Sequence, residues 1–548
     1  MSCATPSIAT GTSNPKIGSV RVPAVSSSPD TAARLWAEVP DNQVLTHVIG
    51  AERRDLWSGD IPCFAARPDS RDVWFDKGRR LPDVFAEPSV SAVERRVGQL
   101  SDTDRARQAW VIEASLASLP GGETRWPSYT HTPSLSPAAP DRLLRAAMRV
   151  GERLGALALR GTAGASWVVL QREDRTTWSI ARAGLDLDAG IPGIALYLAY
   201  LGTVSGVEHP TILARDALAT QLEVTQDRAS SLSGIGAFDG LGGLVYVLSH
   251  LSALWGRPDL LREAHALGAR LPDLIDQDDA FSVFAGAAGC ILTLRSLHRC
   301  APSDRVVTTA VRCGEHLLRS CVHTGRGLGW PGLRNDRTPH ARFLHGTAGV
   351  ATALLELHAW TGDDRFQTTA MAALEGEPTR TRPSANADRS INVAAGTGGR
   401  DEVGSVVQGA EVDGIGLARL CGSDARLSEP GERADVRTVA ETIRDHGFGR
   451  DHSLGAGDLG SHDLLARAAS MLEDEAMAQD ARWHMGGVLD DADRQGWRCG
   501  TPLGVETPGL LAGLAGMGCA LLRGARPDIV PSLLTLDPPS TIRRTHGS

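Results

Sequence analysis

Four carboxylates, Asp239, Glu411, Asp413 and Asp458, lie in or beside glycine-containing turns, as does one histidine, His345. Two carboxyl groups flanking a bond, about 5 Å apart or somewhat further, can hydrolyse a glycoside. The same residue type at a helix start accepts orphan backbone N–H groups and is favoured by the helix dipole. Capping is the reading for Asp239 and Asp458, and an aromatic content of 5% leaves little for sugar stacking. A histidine before a Gly turn serves as a hydrogen-bonded structural residue or as an acid–base group. Spacing alone leaves both roles open for His345. The nine cysteines include no CxxC pair. In a chain of this size that pattern points to free thiols in a reducing cytoplasm, not a disulfide framework.

The elements that must position these residues repeat. Seven times a Gly-containing turn runs into a small-residue-rich apolar helix. The turns are GIPGIALYLAYLG (190–202), GLGGLVYVLSHL (240–251), GAAGCILTLRSL (286–297), HGTAGVATALLEL (345–357), DGIGLARL (413–420), GDLGSHDLLARAA (457–469) and TPGLLAGLAGMGCALL (507–522). Helices so rich in Ala, Leu and Gly suit burial on nearly every face. Self-similarity at this period marks stacked units that cannot bury their apolar faces alone. The expected fold is all-α: a closed ring of seven helical hairpins whose Gly turns meet at one end, where a site would sit.

The ring should span 141–526, followed by a Pro-rich tail at 527–548. Ahead of it, 1–35 is Ser-, Thr- and Pro-rich and expected to be disordered. Residues 36–119 form a small helical unit, and 120–140, with five prolines, reads as a linker. Residues 378–407 are polar and weakly periodic, so a long loop is expected there. A net charge of −9 argues against nucleic acid as the main partner. No stretch of 18 apolar residues and no secretory signal is present, so neither a membrane span nor export is expected.

From 185 to 539 the chain resembles the C-terminal cyclase domain of class II (LanM-type) lanthionine synthetases and, more broadly, the LanC-like family. The resemblance rests on GAFDGLGGLVYVLSHL, FLHGTAGVATALLEL, GIGLARL, GDLGSHDLL and TPLGVETPGLLAGLAGMGCALLR. Residues 52–118 resemble the last stretch of the family's dehydratase domain, through ERRDLWSGDIPCF, SRD and RQAWVIEASLAS. Only that end is represented, so Ser/Thr dehydration is not expected of this chain. The resemblance implies an α/α-toroid in which two cysteines and a histidine hold Zn²⁺. The metal presents a peptide thiol as thiolate for addition to a dehydroamino acid in lanthipeptide biosynthesis. A histidine and an aspartate near the metal are implied as proton handlers.

The positions that match those motifs carry other residues. Val407 stands at the first cysteine, Gly455 and Ala456 at the Cys-His pair, and Ser282 at the aspartate. His345 alone survives, at the acid–base position. Cys421, His452 and His462 lie near the lost ligands in sequence. Zinc needs three or four donors converging at about 2.0–2.3 Å, and no spacing here enforces that. The expectation is a cyclase homologue without zinc, degenerate as an enzyme. Its partners would be a lanthipeptide-like precursor peptide and a complete synthetase. Alternatives are a peptide-binding scaffold, an active cyclase with a rebuilt site, or a toroid glycoside hydrolase.

Overall fold

The computed structural model describes residues 49–540, except 51, 53, 56, 59–62, 76–77, 120–125, 162–163, 173–176, 229–233, 325–326, 332–342, 376–413, 423–426 and 428. The 1–35 segment and the 378–407 loop expectation lie outside the described residues. The chain divides into two compact units, 1–106 and 107–548.

The first unit holds a three-stranded antiparallel sheet, β1 (Phe64–Ala66), β2 (Val73–Phe75) and β3 (Arg79–Leu81), and helix α1 (Ser89–Gly98). Its own small core is Val73 and Val84, with Phe64, Leu81 and Phe85 against them. Helix α2 (Asp102–Ala117) runs across the division.

The second unit opens with α3 (Pro140–Leu157) and two β-hairpins, β4 (Leu159–Gly161) with β5 (Gly164–Ser166) and β6 (Val168–Arg172) with β7 (Trp178–Arg182). Helical hairpins then follow: α4 (Ile191–Ser205) and α5 (Glu208–Arg228), α6 (Leu241–Trp255) and α7 (Pro258–Gly268), α8 (Ala287–Cys300) and α9 (Asp304–Ser320). After a third β-hairpin, β8 (Val322–Thr324) with β9 (Gly327–Gly329), come α10 (Thr347–Thr361) and α11 (Asp364–Glu375). The series ends with α12 (Gly414–Cys421), α13 (Pro430–His446), α14 (Asp458–Leu472), α15 (Glu475–Gln495) and α16 (Leu514–Ala525).

Each even-numbered helix from α4 to α16 packs against the next, and α16 packs back on α4. That closes an inner ring of seven. Six outer helices each follow their inner partner, and α3 supplies the seventh by packing on α16. The two rings differ as their sequences dictate. The first twelve residues of α6, Leu241–Ser252, are all buried, whereas α3 buries a stripe, Leu143, Ala146, Ala147, Val150, Leu154 and Leu157.

The glycine three residues into an inner helix has a specific cause. At Gly289, Gly349, Gly460 and Gly516 an added Cβ would run into the carbonyl oxygen of the residue six positions back. The chain doubles over the helix's first turn, and only hydrogen fits between.

The other end of the ring is plugged. Residues 528–540, expected as a tail, bury Val530, Leu533, Leu534 and Leu536. Tyr246 Oη donates to Asp537 O, and Arg467 Nη1 lies 2.7 Å from Asp537 Oδ2. Arg295 Nη2 donates to Leu536 O, and Ser532 Oγ donates to Asp463, which also pairs with Arg523. Burial alone would raise the Asp537 pKa, but Arg467, Arg523 and Arg295 hold it below the ordinary carboxylate value.

Candidate functional site at the ring mouth

The Gly turns are tied to one another by backbone hydrogen bonds. Gly455 N donates to Leu511 O (2.8 Å), Leu510 N to Asp188 O (2.5 Å) and Leu187 N to Phe238 O (2.9 Å). Phe238 N then donates to Phe284 O, and Phe284 N to Leu344 O, both at 2.9 Å. Six turns are chained this way, those before α14, α16, α4, α6, α8 and α10. Each turn therefore repeats the same register around the mouth. The residue just before the N-cap glycine is in turn Ala456, Ala512, Ala189, Asp239, Ala285 and His345. Only Asp239 and His345 bring a reactive group to that register among the described residues.

His345 is half-buried, its ring 4.7 Å from that of Phe284. Beside it a shallow cleft lies between the α8 and α10 turns, lined by Phe281, Ser282, Trp330, Pro331 and Val350 among others. The Ser282 hydroxyl accepts from Ala285 N at 3.2 Å and so serves its own turn. Phe281 has φ 56°, a left-handed conformation that costs a bulky residue roughly 1–2 kcal/mol. Asp278 holds it there: Oδ1 accepts from Ala280 N and Phe281 N, and Oδ2 accepts from Ala287 N. Burial raises the Asp278 pKa, opposed by those same hydrogen bonds.

Carboxylates gather at the α4 and α6 turns, Asp186 and Asp188 at the first and Asp239 at the second. Asp239 is exposed, and α6 has no side-chain cap, so the capping role expected of Asp239 is not found. Asp188 is pushed up to about 7 by burial, with Asp186 and Asp239 adding to the rise and Arg172 opposing it.

Asp458 does not cap α14 either. Its carboxylate is fully buried and accepts from Gly449 N and Arg450 N, and from Tyr129 Oη at 2.5 Å. Burial pushes its pKa up to about 6. Tyr129 belongs to the segment expected as a linker. Residues 126–139 lie against the α14–α15 hairpin, with Tyr129 N donating to Gly449 O and Ser134 N to Trp483 O. His131 stacks on His484, and the two rings share a 3.0 Å hydrogen bond. Burial lowers His131 to about 4, helped by His484 and His452.

The remaining sequence candidates are dispersed. His452 is buried, accepts from Arg498 N and sits 3.2 Å from Asp491. His462 is buried and lowered to about 4 by that burial. Cys421 is buried on α12, and burial raises its thiol pKa. Val407, Glu411 and Asp413 lie outside the described residues.

A family model described as lanthionine synthetase C-like protein matches residues 182–535. This chain belongs to the lanthionine synthetase C-like family. No curated protein matches it. Among solved structures, a nisin cyclase is similar at 14% identity, covering 70% of this chain and 93% of its own, with a TM-score of 0.46. The GH76 α-mannanase of Bacteroides thetaiotaomicron is similar at 11% identity, covering 71% and 96%, with a TM-score of 0.36. The unsaturated glucuronyl hydrolase of Bacillus sp. GL1 is similar at 13% identity, covering 70% and 96%, with a TM-score of 0.35.

The zinc implied by the LanC-like resemblance does not fit the residues present. Gly455 has no side chain and Ala456 only a methyl group. Among the described residues, no three His, Cys, Asp or Glu side chains are placed to hold a metal ion. A Cβ at Gly455 would stand 3.0 Å from Leu511 Cβ and 3.2 Å from Leu511 O, so the turn is packed close around the vacant position. Sequence reasoning missed Phe281, Trp330 and Asp278. Asp278 lies nine residues before the N–H it caps, beyond the reach of any local capping pattern.

Proposed function

We propose that this chain is a zinc-free lanthionine synthetase C-like protein that binds a precursor peptide at the ring mouth without closing thioether rings. The observation that carries this reading is the pair Gly455 and Ala456 ahead of α14, where the resemblance calls for a thiolate and an imidazole. With no donor there, nothing offsets the dehydration of a zinc ion. A peptide thiol left at its usual pKa of about 8.5 is only a few per cent thiolate at neutral pH. His345 is the remaining proton-handling group, without a metal-bound nucleophile to serve.

The finer assignment is to the class II, LanM-type architecture, and it rests on the motifs between 52 and 118. On that reading the first unit is the end of a dehydratase-like domain and a complete synthetase is the partner that acts on the same peptide. A reducing, cytoplasmic setting agrees with the eight described cysteines, all of them free thiols. Among the described residues no helix is long and apolar enough to cross a membrane.

The test has two arms. Protein produced in zinc-replete medium should carry far less than one zinc per chain by elemental analysis. A dehydrated, cysteine-containing precursor should be retained in pull-down yet keep every thiol open to alkylation. Stoichiometric tight zinc, or thiols that become resistant to alkylation, would falsify the proposal.

A further inference from the structure

We propose that the His131–His484 pair is an acid-released latch, which holds the strap of residues 126–139 against the α14–α15 hairpin at neutral pH and frees it in mild acid. The inference goes beyond the peptide-binding reading and does not depend on it. The strap has no helix or strand of its own. From Ser128 to Pro137, exposed residues surround three that turn inward, Tyr129, His131 and Ser134. Its backbone is tied down by Tyr129 N to Gly449 O, Ser134 N to Trp483 O and Ala138 N to Arg482 O. Helix α15 makes room for it. A Cβ at Gly486 would stand 2.7 Å from Ser134 Cβ and from Ser136 O, and one at Gly487 would strike Thr132 O. Two successive glycines weaken a helix interior, and the bed they leave for the strap is their structural reason.

The side-chain anchor is a row of hydrogen-bonding groups. Tyr129 Oη donates to Asp458 Oδ2 at 2.5 Å and lies 3.3 Å from His131 Nδ1, while His131 Nε2 lies 3.0 Å from His484 Nδ1. With the Tyr129 proton on Asp458, one arrangement completes the row: His131 Nδ1–H donates to Tyr129 Oη, and His484 Nδ1–H donates to His131 Nε2. A first proton can settle on the outer nitrogen of His484, but one on His131 Nε2 points at another N–H. Two imidazolium rings so close repel instead of bonding. The carboxylates facing His131 are already engaged. Asp458, 3.9 Å from Nδ1, also accepts from Gly449 N and Arg450 N, and Asp491 pairs with Arg498. His452 adds a third imidazole, and Phe448 stacks on both rings of the pair. Around His484 stand Asp480 on its own helix, Arg444 and Asp445 at the end of α13, and His462 on α14. Burial holds His131 at about 4, helped by His484 and His452 and opposed by Asp491, and burial also lowers His484. Both shifts run below 6.5, so the neutral pair favours the docked strap above that pH, and the preference is lost as pH falls towards 4.

The experiment measures hydrogen exchange of the full chain by mass spectrometry, corrected for the intrinsic effect of pH on amide exchange. Peptides from 126–139 are compared with peptides from α6, 241–255. Moving one imidazole from 6.5 to about 4 should make the strap open on the order of twentyfold more at pH 5 than at pH 7. The α6 amides should show no such change. His131→Gln with His484→Gln supplies amides that donate and accept without titrating, and should hold the strap's change below about threefold. If that double variant loses protection in α6, each single substitution is read instead, and each should shrink the change seen in the unaltered chain. A strap that opens no more at pH 5 overturns the latch. So does one that opens only together with α6, which is general acid unfolding, and so does a full pH response that survives the substitutions.

Discussion

The two ends of the inner ring belong to the same seven helices and are built on opposite principles. At the mouth, small residues crowd backbone against backbone, and two of six register positions carry a reactive group. At the far end, long side chains and buried ion pairs hold a C-terminal plug: Arg467 with Asp537, Arg295 with Glu356 and Arg523 with Asp463. The difference separates stability from chemistry. Side chains at the mouth can change without opening the ring, because charge pairing and packing that hold the inner helices together lie elsewhere.

That contrast can be broken most forcefully from the plug. Ending the chain at Arg526 removes four buried apolar side chains, worth roughly 6–12 kcal/mol at about 1.5–3 each, comparable with the whole stability of a domain. Loss of a cooperative denaturant transition is the expected result; a normal transition would show the plug to be dispensable. Arg467→Met leaves Asp537 buried without its direct partner and should cost about 3–5 kcal/mol in urea melts.

Substitutions at the mouth sharpen the same contrast. Gly349→Ala drives a methyl group into Phe343 O and should destabilise by about 1–3 kcal/mol or more. Gly455→Ala meets Leu511 Cβ at 3.0 Å and Leu511 O at 3.2 Å, tight contacts without the overlap found at Gly349, and should stay within about 1 kcal/mol. If both cost the same, Gly455 is not the more permissive of the two positions.

The smallest effect is on pH dependence. Burial lowers His131, His452 and His462 to about 4 and His250 to about 3, from 6.5. Their neutral forms stabilise the fold above pH 6.5, and that contribution is lost as pH falls towards 4. Asp188 at about 7 and Asp458 at about 6 work the other way, since their protonated forms favour the fold as pH drops. Four histidines outweigh two carboxylates, so Tm should fall between pH 6.5 and 4. The double change Asp188→Asn and Asp458→Asn should steepen that fall; a flatter curve would contradict the assignment.

The inner ring was legible because its cause is local. A glycine three residues into each helix, followed by a run of small and apolar residues, is written in consecutive positions. His345, Gly455 and Ala456 lie inside those same consecutive motifs. What escaped depends on partners far away in sequence. Tyr129 looks like part of a Pro-rich linker until Asp458 is placed beside it. The segment from 528 to 540 looks like a tail until Arg467, Arg295 and Tyr246 converge on it. Asp239 and Asp458 sit where a cap would be expected, yet the helices beside them begin at Gly240 and Gly457, whose turns are tied to neighbouring turns instead. Phe281 gave no sign at all, since a left-handed φ at a bulky residue is imposed by its surroundings.

Because α3 packs on α16, the last seam of the circle joins residues near opposite ends of the second unit. On the ribosome, the face of α3 that meets α16 must wait for several hundred further residues, on the order of half a minute at ordinary elongation rates. Until then every nascent copy displays a greasy flank with its proper cover still untranslated, so yield in a cell should respond to chaperone supply more than to any change at the mouth.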